Sequence, residues 1–181
     1  MKFLYLIILF APFLISPEKT LAQEFPRGWV LYADASQGLS TSFKQYTNYY
    51  VGELQLQPAY TIIPEHLRLG GNIGMAYTGD NLDGIFGVHL ALLVKSLKVN
   101  LAGPSTLMNI QVQAEQLWGT NQQQMFGLVL KGEVFQLAEV FVSGHRDYNL
   151  NNWWFQFGIG YNLFHKKTAK EPHDPFHPTN N

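Results

Sequence analysis

The feature that most constrains this chain is a period of two in its apolar residues, repeated in eight successive segments. In residues 50–62, for example, Leu54 and Leu56 alternate with Glu53, Gln55 and Gln57. A period of two places alternate side chains on opposite faces of an extended strand, whereas a helix would require a period near 3.6. The eight predicted strands are residues 29–40, 50–62, 67–78, 85–94, 108–115, 125–134, 140–145 and 153–163.

Short turn signals separate these segments, and we find no helical segment among them. An even number of antiparallel strands can close on itself and so remove both exposed sheet edges. The sequence therefore predicts an all-β, eight-stranded antiparallel up-and-down barrel formed by residues 23–164.

The N-terminal 22 residues are predicted to be a secretory signal peptide rather than part of the barrel. Lys2 precedes an apolar run, residues 3–15, and small residues lead to Ala22. That run is shorter than the about 20 residues that a spanning helix needs. We expect cleavage after Ala22, with a retained membrane anchor as the alternative.

Charge and cysteine content exclude several functions. Charged residues make up 14% of the chain, against roughly 25% in a typical soluble domain. The formal net charge is -1, so no basic surface is available to bind nucleic acid. With no cysteine, disulfides, thiolate nucleophiles and thiolate zinc sites are excluded, and no cofactor motif is present.

The alternation alone does not say which face of the barrel meets water. A soluble lipocalin-like carrier would turn its apolar stripe inward around a ligand, and a membrane barrel would turn it toward lipid. The polar stripe is rich in Gly, Asn and Gln, which suits a narrow interior, and aromatic residues gather at both ends of the strands. Trp153 and Trp154 belong to one of these groups and Trp29 to the other. We therefore predict a transmembrane barrel with two aromatic girdles.

The last strand carries a recognisable motif: polar Gln156, then Gly158, aromatic Tyr161 and apolar Leu163. This pattern resembles the terminal signal of small Gram-negative outer-membrane barrels, although here residues 165–181 follow it. The resemblance implies a location in the bacterial outer membrane and recognition by the outer-membrane insertion machinery. It also implies contact with outer-membrane lipids and a periplasmic position for both termini. We expect residues 165–181 to form a disordered tail, because Pro172, Pro175 and Pro178 prevent a helix there.

Several ionisable residues fall on the polar stripe and would line the barrel interior. They are Asp34, Glu53, Arg68, His89, Glu115 and Lys131. Such residues could line a polar conduit or fill the bore as a paired network. We expect a plugged interior, since large side chains such as Gln111 and Gln113 share this face.

Ser143, His145 and Asp147 share one strand face near the end of the seventh segment. Nucleophilic catalysis by serine needs its hydroxyl within hydrogen-bond reach of a base, and that base is in turn oriented by an acid. Small outer-membrane barrels include lipid A hydrolases and acyltransferases, but their His-x-Ser order is reversed here. The leading hypothesis is therefore a non-enzymatic barrel with a structural or accessory role. The alternatives are an enzyme of this kind and a soluble lipocalin-like carrier of an apolar ligand.

Overall fold

Eight antiparallel strands close into a single barrel in the computed structural model, which describes residues 25, 28–42, 48–79, 81–100 and 104–164. The strands are β1 Trp29–Thr41, β2 Asn48–Ile63, β3 Leu67–Thr78, β4 Asn81–Asn100, β5 Pro104–Gly119, β6 Gln124–Val134, β7 Ala138–Asp147 and β8 Asn152–Asn162. Each strand pairs with its neighbour in the chain, and β8 pairs with β1 to close the barrel. The predicted fold is confirmed. The predicted signal peptide, residues 1–22, and the tail, residues 165–181, lie outside the described residues.

The strands follow the predicted alternation, which separates two surfaces. On β2, Leu54 and Leu56 point outward and are exposed, while Glu53 and Gln55 are buried inside the barrel. Within the described ranges, no helix has the length and apolar character needed to cross a membrane.

The hairpin formed by β4 and β5 is longer than predicted, because its alternation is interrupted. Register shifts occur between Leu93 and Lys95 and again between Leu97 and Lys98. A bulge inserts an extra residue, so that residues beyond it exchange their inward and outward positions. The sequence alternation therefore cannot be followed past Val94. The ladder nevertheless continues as far as Asn100 paired with Pro104.

The connection between β3 and β4 is shorter than the predicted loop at residues 79–84. β4 already begins at Asn81, which pairs with Thr78. Gly79 has φ +62°, a conformation that glycine adopts at little cost in a tight hairpin turn. This end of the barrel, which also carries the β5–β6 and β7–β8 loops, is called the loop end below; the opposite end is the termini end.

Candidate functional site

The outer surface of the barrel carries a continuous apolar belt. All eight strands contribute to it, and most of its large side chains are exposed. One member from each strand, in chain order, is Leu39, Leu54, Ile73, Val88, Val112, Leu128, Val142 and Phe157. Soluble monomers rarely expose an apolar patch of more than a few hundred Å². A belt that runs around all eight strands is therefore typical of a surface that contacts a membrane or another protein.

Aromatic side chains mark both rims of the belt. At the loop end lie Tyr49, Tyr50, Tyr77, Trp118 and Trp153; at the termini end lie Trp29, Tyr60, Tyr161 and Phe164. Trp154 was predicted to join the first group, and that prediction is wrong. Its side chain is 2% exposed and lies inside the barrel, because it shares the inward parity of Gln156.

Inside the barrel, an apolar septum closes the loop end. It is a cluster of buried side chains from six strands: Val51, Ala76, Ile85, Leu117, Met125 and Trp154. Beyond it, Gln123 donates a hydrogen bond to Asp83 at 2.7 Å, which caps the septum on its loop side. Water and ions would have to cross an apolar layer to enter the barrel from this end.

A polar network lies directly below the septum. His145 Nε2 lies 2.8 Å from Glu115 Oε2, and Asn72 Nδ2 donates to Glu115 Oε1 at 3.1 Å. Asn72 Oδ1 is in turn hydrogen-bonded to the His89 ring. Glu53 joins the same layer as the acceptor from Gln55, and Gln156 Nε2 donates to its other oxygen at 2.8 Å.

Lys131 stands at the middle of the interior. Its ammonium donates to Glu139 Oε1 at 2.7 Å and to Gln57 Oε1 at 2.8 Å, and it lies 3.4 Å from Asp34 Oδ2. All of these side chains are buried. A buried charge that loses its partner is strongly destabilising, and Lys131 is the cation that two buried carboxylates share here.

Arg68 occupies the termini end of the interior. Its guanidinium lies 3.4 Å from Glu133 Oε1, which also accepts a hydrogen bond from the Tyr32 hydroxyl. The ring of Phe25 stacks on the other side of the guanidinium, 3.8 Å from it, and is itself buried. Phe25 therefore covers Arg68 where the barrel opens toward the chain termini.

Little space remains between these layers. The two interior cavities measure about 20 Å³ and about 10 Å³, and both are lined by Lys131 and Gln57. Cavities of this size have room for about one or two water molecules each. A hydrated ion fits in neither.

The structure places all six predicted interior residues inside the barrel, and some of them pair with residues outside the predicted set. Asp34 meets Lys131, and Glu115 reaches His89 through Asn72, whereas Arg68 pairs with Glu133 at the far end. Glu133 and Glu139 were not among the predicted residues. Strand parity could have found them, since Glu133 is two residues from Lys131 and Glu139 shares the parity of Ser143.

Ser143, His145 and Asp147 all face inward, but each has a different partner. Ser143 Oγ donates to Gln156 Oε1 at 3.4 Å, and His145 pairs with Glu115. Asp147 Oδ1 accepts from the backbone N–H groups of Asn149 and Leu150, each at 3.0 Å, and so orders the β7–β8 loop. The acid that orients His145 is therefore Glu115, and Ser143 lies inside the barrel rather than at its apolar outer surface.

The motif residues of the last strand divide between the two surfaces. Gln156 is buried in the polar network, and Gly158 leaves room for the ring of Phe141, which a Cβ atom at residue 158 would overlap. Tyr161 and Leu163 are exposed at the termini end.

Comparison with known proteins gives fold likeness only. A solved structure described as a de novo designed transmembrane β-barrel is 19% identical, covering 78% of this chain and 99% of that one, with a TM-score of 0.45. The de novo designed protein TMB2.3, determined by solution NMR, is 12% identical, covering 74% of this chain and 94% of that one, with a TM-score of 0.45. No protein-family model and no curated protein matches the chain.

Proposed function

We propose that this chain spans the bacterial outer membrane as a closed barrel with a structural or accessory, non-enzymatic role. The observation that carries the proposal is the distribution of side chains: large apolar groups cover the outside, and most of the carboxylates and cations that the structure describes lie inside. Only helices and closed barrels satisfy every backbone hydrogen bond within lipid, and this barrel has no open edge. A soluble carrier of an apolar ligand would need the opposite distribution, with an apolar cavity.

The outer membrane is the membrane that the sequence favours. The signal-like residues 1–22 would direct export, and Gln156, Gly158, Tyr161 and Leu163 resemble the signal read by the outer-membrane insertion machinery. The partners we propose are therefore outer-membrane lipids and that machinery, with no nucleic acid.

The contacts of Ser143 and His145 support a role without catalysis. Both side chains are buried and already hydrogen-bonded to Gln156 and Glu115. A lipid acyl ester in the surrounding membrane would meet the outer belt, where Val142 and Phe157 lie, and not the interior where Ser143 points.

Fractionation combined with gel migration tests the proposal. We expect the protein in the outer-membrane fraction, and we expect boiled and unboiled samples extracted in detergent to migrate differently, since a folded barrel resists unfolding at room temperature in the gel sample buffer. Recovery as a soluble periplasmic protein that migrates identically with and without boiling would overturn the proposal.

The closed interior gives a second expected result. Purified protein inserted into planar bilayers should give no ion-conducting steps, because the septum and the Lys131 network leave only small, separate cavities in the described interior. A porin inserted under the same conditions is the positive control, and protease protection confirms that the test protein has inserted. Regular conducting steps from the folded protein would contradict a plugged interior.

A further inference from the structure

The outside of the barrel carries a concavity at the loop end that none of the preceding functions uses. It measures about 650 Å³ and lies between the ends of β4 and β5 and the two loops above them. Its lining includes two aromatic rings, Phe86 and Trp118, and three carboxamide side chains, Gln122, Gln124 and Asn149.

The two aromatic rings form the floor. Phe86 and Trp118 are directly paired across β4 and β5, and their rings are stacked with centroids 6.0 Å apart and planes 27° apart. Both point outward, and Phe86 is 52% exposed. Two neighbouring rings on adjacent strands provide a broad apolar surface that is open to a ligand.

The carboxamide rim is held in place by contacts between the β5–β6 and β7–β8 loops. Asn149 Nδ2 donates to the backbone oxygen of Gln122 at 2.8 Å, and the Tyr148 N–H donates to the backbone oxygen of Gln124 at 2.9 Å. Gln122 has φ 66°, so this contact fixes an otherwise unfavourable backbone. A rim whose backbone is ordered in advance costs less entropy when a ligand binds.

From this combination we infer a binding site for a neutral saccharide. Carboxamides both donate and accept hydrogen bonds, as the hydroxyl groups of a sugar do, and the apolar C–H face of a sugar ring can pack on the aromatic floor. The lining residues that the structure describes include no ionisable side chain, so the site has no cation to hold a phosphate or a carboxylate. The inference concerns the loop end alone and does not rest on the function proposed above.

The same surface provides a matched comparison. Trp153 and Phe155 also stack at the loop end, with centroids 6.0 Å apart and planes 5° apart, but the Arg146 guanidinium lies 5.4 Å from the Trp153 ring. This second pair has similar aromatic area and a different chemical setting. It serves as the control for binding that depends on aromatic rings alone.

Fluorine NMR of protein labelled with 5-fluorotryptophan tests the site directly, because the chain has 4 tryptophans and each gives its own signal. The probes are glucose, galactose and mannose trisaccharides added to the folded protein in detergent. A second arm uses nanodiscs containing a monoglucosyl diacylglycerol, with phosphatidylcholine nanodiscs as the reference. Trp118→Phe assigns the Trp118 signal while keeping an aromatic ring.

We expect a saccharide to move the Trp118 signal and leave the Trp153 signal unchanged. Trp118→Leu should weaken the affinity about tenfold, as measured by calorimetry. Gln124→Ala should also weaken the affinity, because it removes one carboxamide from the rim. The hydrogen bond from the Tyr148 N–H to the backbone oxygen of residue 124 stays in place, so the loop is not disturbed. Trp153→Leu should bind as the parent does, and circular dichroism verifies that each variant keeps its β-sheet content.

The two arms separate the sources of the sugar. A response to the trisaccharides would mean that the site binds free saccharides. A response confined to the glucolipid nanodiscs would mean that the ligand is the headgroup of a lipid. The inference is overturned if neither form moves the Trp118 signal, or if phosphatidylcholine nanodiscs move it as much as glucolipid nanodiscs do. Equal affinity in the parent and in Trp118→Leu would overturn it as well.

Discussion

Replacing Lys131 with methionine is expected to destabilise the folded barrel by about 3–5 kcal/mol, because it leaves buried carboxylates without their cation. Asp34 and Glu139 both lie within ion-pair distance of the Lys131 ammonium, and both are buried. Methionine keeps a flexible stem of similar length, so the change removes charge and hydrogen bonds with little loss of packing volume. The measurement is urea unfolding of the refolded protein, followed by the fraction that retains the fast-migrating folded band.

A compensating variant separates the effect of the unpaired carboxylates from the loss of the lysine side chain itself. Combining Lys131→Met with Asp34→Asn and Glu139→Gln removes both stranded carboxylates, and we expect this triple variant to recover most of the lost stability. Replacing a complete buried ion cluster with neutral groups is often close to neutral in free energy. If Lys131→Met alone were as stable as the parent, the network would not depend on its central cation, and the account of the interior would be wrong.

The distribution of faces was predictable, because a period of two needs only local sequence. Glu53 and Leu54 are adjacent, and parity alone places one inside and the other outside. Trp154 shows that parity is the better guide than residue type: its indole suggested a girdle, yet its parity matched that of Gln156. The long β4–β5 hairpin was missed because the bulge after Leu93 reverses parity without any local signal.

The partners across the interior were not predictable in the same way. Arg68 and Glu133 are 65 residues apart, and they meet only because the strands are tilted and staggered around the closed barrel. The stagger decides which side chains lie at the same height along the barrel axis, and the alternation within each strand does not determine it. The predicted interior residues were therefore found as members of a face, whereas their pairings required the structure.

A second large loss of stability is expected when a charge is placed on the apolar belt. Leu128 lies near the middle of β6 and is 56% exposed, so in water its replacement by arginine would alter little. If the belt faces hydrocarbon, Leu128→Arg should instead cost about 2–4 kcal/mol, the range measured for arginine near the midplane of membrane barrels. The measurement is urea unfolding of the variant folded in lipid vesicles, together with the amount recovered in the outer-membrane fraction.

Tyr148→Arg is the matched control, because Tyr148 is 59% exposed but lies in the β7–β8 loop beyond the end of the strand. Both changes introduce the same cation at nearly equal exposure, and only the depth differs. A membrane barrel predicts a large loss for Leu128→Arg and a change near zero for Tyr148→Arg, since the cost of arginine falls to about 0–1 kcal/mol near the interface. Equal and small effects at both positions would mean that water surrounds the belt, and the membrane assignment would then fail even though the barrel fold remained correct.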